Sequence, residues 1–236
     1  MRSYRLISVK NFPILSLNER KNTFFQNALP GQTRDPKTEL IYINSDFYGF
    51  EHYRFDHEMI INECGLAFGF IDDKAVELNF SDFLKKFTIN CYLKRKENYA
   101  YLSANSNVVI SLLRVIKKNS DLCTEIDDFS LDMHDLSLYV PDFLSIWLSG
   151  VSTRVTTSAF FGSDLLNEPL YQKLSEEGAE LTSVTIPFHG IRIQISEKAG
   201  ISSHQVFENI NDELQLVQRV KTELIDNIVK SPNEIS

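Results

Sequence analysis

The densest set of chemically active side chains lies between positions 46 and 63. Carboxylates and imidazoles this close in sequence can bind a divalent metal or transfer protons during catalysis. Their spacing matches no specific motif, because Ile61 stands where the zinc-protease pattern that begins at His57 requires a second histidine. The set consists of Asp46, Glu51, His52, Asp56, His57, Glu58 and Glu63.

An acid-x-lysine triplet, Asp72-Asp73-Lys74, follows this set after an apolar segment. Some metal-dependent nucleases use such a triplet together with an upstream acid: the carboxylates hold the metal and the lysine orients the attacking water. The alternative is an ordinary charged hairpin turn. The catalytic hypothesis is therefore a metal-dependent hydrolase, with a nuclease as its specific form, at residues 46–74. Its candidate residues are Asp56, His57, Glu58, Asp72 and Lys74, and its cofactor is a divalent metal.

A strand through this region would direct alternate side chains of the set to opposite faces. Glu51, Tyr53 and Phe55 would share one face, whereas His52, Arg54 and Asp56 would share the other. The second face predicts a ladder of surface ion pairs, and this is the structural alternative to a metal or acid–base site.

Basic residues gather between positions 85 and 118, in company with three tyrosines. Basic groups beside aromatic rings can hold a nucleic-acid backbone and stack bases. The groups form one patch if the turn at 94–96 lies beside the end of the following helix; otherwise they are a solvated surface. The candidate binding residues are Lys85, Lys86, Lys94, Arg95, Lys96, Arg114, Lys117 and Lys118, with Tyr92, Tyr99 and Tyr101.

Charge is distributed unevenly along the chain. Residues 1–120 contain 17 basic and 13 acidic residues, a net +4, and residues 121–236 contain 7 and 19, a net −12. The acidic total, −8, argues against non-specific coating of nucleic acid. The basic half can still meet an anionic partner; alternatively, the two halves face each other or a second subunit.

Neighbouring strand patterns with helices between the groups predict an α+β fold with mostly antiparallel sheet. The periodicity predicts a helix that begins near Asn105 and a long amphipathic C-terminal helix over 209–229. It also predicts a hairpin over 181–196, a turn at 72–74 and a short helix over 82–87 capped by Ser81. We expect a single domain over 1–236, with any division into two lobes near 118–128, where the charge changes sign.

Several classes of function lack their signatures. The sequence has no GxGxxG or Walker loop, no GxSxG elbow and no CxxC pair. No run of about 18–20 apolar residues is present, and the first residues do not resemble a signal peptide. We therefore expect a cytoplasmic location and no membrane partner, with Cys64, Cys91 and Cys123 buried and reduced. Trp147 is predicted to lie in the core and His189 to face solvent in a turn.

Two functional hypotheses follow. The first is a non-catalytic intracellular binding or adaptor protein with a charge-polarised surface. Its partner would be another protein, a second copy of the chain, or a nucleic acid held by the N-terminal half. The alternative is the metal-dependent hydrolase at residues 46–74.

Overall fold

The computed structural model describes residues 2–23, 35–71, 74–119, 122, 125–140 and 142–229. The strands are β1 (Ser3–Asn11), β2 (Arg20–Asn22), β3 (Thr38–Phe47), β4 (Phe50–Ile61), β5 (Gly65–Ile71), β6 (Lys74–Phe80), β7 (Phe83–Lys94), β8 (Tyr99–Ser103), β9 (Glu125–Asp128), β10 (Ser145–Ser149), β11 (Thr157–Phe161), β12 (Glu180–Phe188), β13 (Ile191–Ser196) and β14 (Gly200–Ser203). The helices are α1 (Ser106–Lys118), α2 (Leu136–Tyr139), α3 (Pro169–Glu176), α4 (Ile210–Val220) and α5 (Asp226–Ile228).

Twelve strands form one sheet in the order β11-β10-β12-β13-β14-β1-β8-β7-β4-β3-β2, and β9 pairs with β1 outside this path. The pairings are antiparallel, which confirms the predicted α+β fold with antiparallel sheet. Strand β1 is central, because it pairs with β14 of the second half of the chain and with β8 of the first. The two halves of the sequence therefore lie side by side in one sheet.

The alternation of β1 supplies both faces of the sheet. Tyr4 and Leu6 belong to one hydrophobic cluster, and Ile7 and Val9 belong to the other. The first cluster includes the buried side of α4, so we call this side of the sheet the α4 face. The second includes the buried side of α1, and we call that side the α1 face. Each half of the sheet thus has its helix on a different side.

Helix α1 follows the sequence signals closely. Asn105 caps it by accepting a hydrogen bond from the backbone N–H of Asn107. Val108, Leu112 and Ile116 are buried at helical spacing against the α1 face. The long C-terminal helix is also present: α4 continues through a π-helical turn, Lys221–Ile225, into α5.

The predicted helix over 82–87 is wrong. Strand β7 begins at Phe83, and its first half pairs residue by residue with the end of β4, from Ile61 opposite Phe83 to His57 opposite Phe87. The local sequence favours a helix, but a strand forms here because pairing with a long neighbouring strand satisfies the backbone hydrogen bonds of the whole segment.

Strands β5 and β6 form a separate two-stranded ribbon, which we call the arm. The arm continues the hairpin of β4 and β7 beyond the main sheet, so the predicted hairpin around 72–74 is confirmed. Residues 72 and 73 themselves lie outside the described residues. No helix in the described part of the chain has both the length and the apolar content needed to cross a membrane.

Candidate functional site

The acid and imidazole set of residues 46–63 is divided between the two faces of β4. Asp56 lies on the α4 face, whereas its neighbour His57 lies on the α1 face against α1. A strand directs successive side chains to opposite sides, so two adjacent candidates cannot act on one substrate or metal. Among the residues that the structure describes, no group of three His, Cys, Asp or Glu side chains could hold a metal ion.

Asp56 is held by basic side chains on its own face. It is 6% exposed; Arg54 Nε lies 3.1 Å and Lys86 Nζ 2.8 Å from its carboxylate oxygens. Thr88 also donates a hydrogen bond to it, at 3.4 Å. Of the ladder predicted for this face, the Arg54–Asp56 pair is present. His52 instead contacts Asn90 Oδ1 and stacks on another ring of the same face, that of Tyr92.

His57 joins α1 to the sheet through two hydroxyl groups. Its Nδ1 lies 2.8 Å from Thr38 Oγ1 and its Nε2 lies 2.9 Å from Ser111 Oγ. The ring is 1% exposed, and burial lowers its pKa. A neutral imidazole has one donor and one acceptor nitrogen, which these two hydroxyls satisfy. Ser111 was not predicted, because it is 54 residues from His57 in sequence.

We expect the protein to lose stability as the pH falls through the histidine range. Burial lowers the pKa of both His52 and His57 in the folded state, so below about pH 6.5 the unfolded chain binds more protons than the folded one. The stabilisation is complete above that pH and declines below it, toward the folded-state pKa. Urea unfolding between about pH 7.5 and 5.5 measures the slope. His57→Gln should flatten it, whereas the exposed control His204→Gln should not; equal slopes would contradict this account.

The other catalytic candidates are dispersed. Glu58 accepts a hydrogen bond from the backbone N–H of Lys37. Lys74 is exposed at the start of β6, at the far end of the arm, and Asp72 lies outside the described residues. Asp56 and Glu58 share one face of β4, but His57 lies on the opposite face and Lys74 lies at the far end of the arm. The candidates therefore do not form one site, and the metal-dependent hydrolase stays a prediction from the sequence.

The basic set is divided between the two ends of β7. Lys85 and Lys86 lie near its start and Lys94 at its end, which places Lys86 about 27 Å from Lys94 at the usual rise of a strand. Lys86 pairs with Asp56, and Lys94 lies over a buried aromatic ring, 4.7 Å from the centroid of Phe50. These lysines are engaged within the fold.

Arg95 is partly buried and is held by contacts within the fold. Its guanidinium binds both carboxylate oxygens of Glu51, at 2.7 and 2.8 Å, and donates to the carbonyl oxygen of Phe12. Its neighbour Lys96 is exposed. Adjacent basic residues therefore have different roles, which the sequence alone did not distinguish.

The C-terminal end of α1 lies at the same end of the sheet as the turn at 94–96. Lys117 and Lys118 line a cavity of about 420 Å³ together with Lys10, but Glu125 and Asp127 line it too. Carboxylates thus lie within the patch that the sequence predicted to be basic. Arg114 is exposed farther back on α1. A nucleic-acid partner for the N-terminal half stays a prediction.

Among the described residues, ion pairs across the two halves involve four of the 17 basic residues of the first half, as many as its net charge of +4. Four of its basic residues pair with three carboxylates of the second half, at distances of 2.7 to 3.0 Å. This agrees with the alternative in which the halves neutralise each other, although only along their boundary. The remaining charge is then mostly the acidic charge of the second half. The pairs are Arg2–Glu213, Arg5–Asp128, Lys10–Asp127 and Lys117–Asp128.

Strand β11 is the edge of the sheet in this acidic half. Its residues, TSAFF, contain no charge, and none of the described strands pairs with its outer side. Phe161 is 69% exposed and contacts Trp147 of β10 edge to face, with 5.9 Å between ring centroids. The prediction that Trp147 lies in the core is wrong: it is 39% exposed, because the buried apolar residues of β10 are its neighbours, Ile146 and Leu148, which face the other side of the strand.

Exposed carboxylates lie close in sequence to the ends of the outer strands of this half. They precede β10, follow β11, and begin α3 and β12, and all are exposed; Arg154 is the basic residue of the connecting loop. The opposite edge of the sheet, β2, has only three residues and contains Arg20 and Lys21. The two ends of the sheet thus differ in charge as well as in length. These carboxylates are Asp142, Asp164, Glu168 and Glu180.

Comparisons with protein-family models, with curated proteins and with solved structures find no match for this chain.

Proposed function

We propose that the protein is a non-catalytic binding protein that engages a basic protein partner at edge strand β11. The observation that supports this is the uncharged outer strand with exposed Phe161 beside exposed Trp147. Edge strands in natural proteins are usually protected by charge, proline or great shortness, because their free backbone groups pair readily with another chain. An unprotected edge is consistent with a strand that has a partner.

The mode of binding would be strand addition. An extended segment would pair with the backbone of β11, and its alternate side chains would lie over the Trp147 and Phe161 rings. The carboxylates around β11 favour lysine and arginine in that segment and oppose nucleic acid. They also oppose a second copy of the same acidic edge. A cytoplasmic location remains an expectation from the sequence.

The experiment is a comparison of captured partners between two variants. Wild-type protein and Phe161→Lys are used as baits in extracts of the native host at low salt, and bound proteins are quantified by mass spectrometry. A basic segment of a captured protein is then titrated as a synthetic peptide by fluorescence anisotropy. We expect Phe161→Lys to weaken peptide binding by about tenfold or more, because it places a cation where the ligand is basic.

The matched control is Val206→Lys, which adds the same charge at a position that is 87% exposed and outside the strands. It should bind the peptide like wild type, and added salt should weaken wild-type binding. If Phe161→Lys and Val206→Lys bind equally well, β11 is not the binding site and the proposal fails.

A further inference from the structure

The arm exposes a large apolar surface outside the main sheet. Leu66 is 55% exposed and Phe68 is 80% exposed, and both point to the same face of β5 because they are two residues apart. Strand β5 has seven residues and no charge. A two-stranded ribbon is only marginally stable by itself in water, so such a surface favours a further partner.

The apolar face of the arm carries a carboxylate. Glu77 lies directly opposite Phe68 in the ribbon, so its carboxylate is on the same face as the two apolar side chains. Glu63 and Asp82 are exposed at the base of the arm, and Lys74 is the basic residue at its far end. The arm therefore fits an apolar surface with basic residues around it.

The same chain carries a surface of that kind. Ile14 and Leu17 are 85% and 64% exposed in the segment before β2. Arg20 and Lys21 follow on β2 itself, and neither forms an ion pair with a described residue; Glu19 is the nearby carboxylate. No described strand pairs with the outer side of β2.

We propose that the arm of one copy docks on the β2 surface of a second copy. In a two-fold dimer each copy supplies one arm and one β2 surface, so the two acidic–apolar and basic–apolar contacts form together. Leu66 and Phe68 pack against the partner's Ile14 and the partner's Leu17, and Glu77 lies near the basic side chains of β2. Docking of this kind covers both the apolar arm and a sheet edge with which no described strand pairs.

The test is the mass in solution of the full chain, measured by sedimentation equilibrium over a concentration series. Wild type is expected to reach twice 27.2 kDa. Phe68→Asp should raise the dissociation constant by about tenfold or more. The control Leu138→Asp, at a residue of α2 that is 78% exposed, should leave it unchanged.

A charge exchange identifies the surface on which the arm docks. Glu77→Lys and Lys21→Glu should each raise the dissociation constant by about threefold, and the double variant should restore it. Monomeric wild type at every concentration would overturn the proposal and leave the arm to another molecule. A dimer that Phe68→Asp weakens no more than Leu138→Asp would overturn it too, as would a double variant without restoration. None of these three outcomes concerns β11, so this proposal and the proposed function can fail separately.

Discussion

Replacement of Arg95 by alanine is expected to lower the free energy of unfolding by about 3 kcal/mol. The guanidinium lies within hydrogen-bonding distance of five acceptor atoms, which belong to separate parts of the first half. Two are the carboxylate oxygens of Glu51 of β4, one is the hydroxyl oxygen of Tyr53, and two are the carbonyl oxygens of Phe12 and Pro13. Without Arg95, the hydroxyl of a tyrosine that is 1% exposed and a half-buried carboxylate lose their cation.

Two further variants separate this role from simple charge. Arg95→Lys keeps the positive charge but cannot form the planar fork with Glu51, so about half of the loss should remain. Lys96→Ala removes the adjacent, exposed cation and should change the free energy of unfolding by less than about 0.5 kcal/mol. Urea unfolding measures all three. Equal stability of Arg95→Ala and Lys96→Ala would show that the network contributes nothing.

Replacement of His57 by alanine is expected to lower the free energy of unfolding by a similar amount, about 3 kcal/mol at neutral pH. The variant removes a fully buried ring and leaves two hydroxyls, those of Thr38 and Ser111, without the partner they share. Both costs arise in the folded state, because water satisfies the same hydroxyls in the unfolded chain. Denaturant unfolding by circular dichroism measures the change.

The contact that causes this loss of stability can be tested, as well as the size of the loss. Ser111→Ala should cost about 1 kcal/mol in the wild-type background but much less in the His57→Ala background, because the two residues act through one hydrogen bond. His204→Ala, at an exposed position, serves as the control. Strictly additive losses in the double variant would mean that the contact between His57 and Ser111 does not stabilise the fold.

Local pattern in the sequence was sufficient for the class of fold and for several of its elements. The alternation of Ile191, Ile193 and Ile195 identified a hairpin with one buried face, and the helical spacing of Val108, Leu112 and Ile116 identified α1. Both patterns are set by the side of an element that faces the core, so the residues that they predict to be buried are also buried or partly buried in the structure. The alternation along β4 even separated Asp56 from Phe55 correctly before any partner strand was known.

The burial of individual side chains was predicted less well. Trp147 was assigned to the core on residue type, but its position in the alternation of β10 turns it to the surface. Cys64 was also expected to be buried and is exposed, whereas Cys91 is buried as expected and Cys123 lies outside the described residues. Residue type gives an average tendency toward burial, and the strand geometry at each position decides the individual case.

By itself, the sequence determined the type of fold, the faces of the clearest elements and the charge of each half. Only the tertiary structure decided which charges meet: that Arg95 turns inward to Glu51 while Lys96 stays in solvent, and that His57 reaches Ser111 on α1. It also decided that β11 and the arm are left at the margins of the sheet. Periodicity is a property of a few neighbouring residues, whereas these contacts join residues dozens of positions apart and depend on the order of the strands.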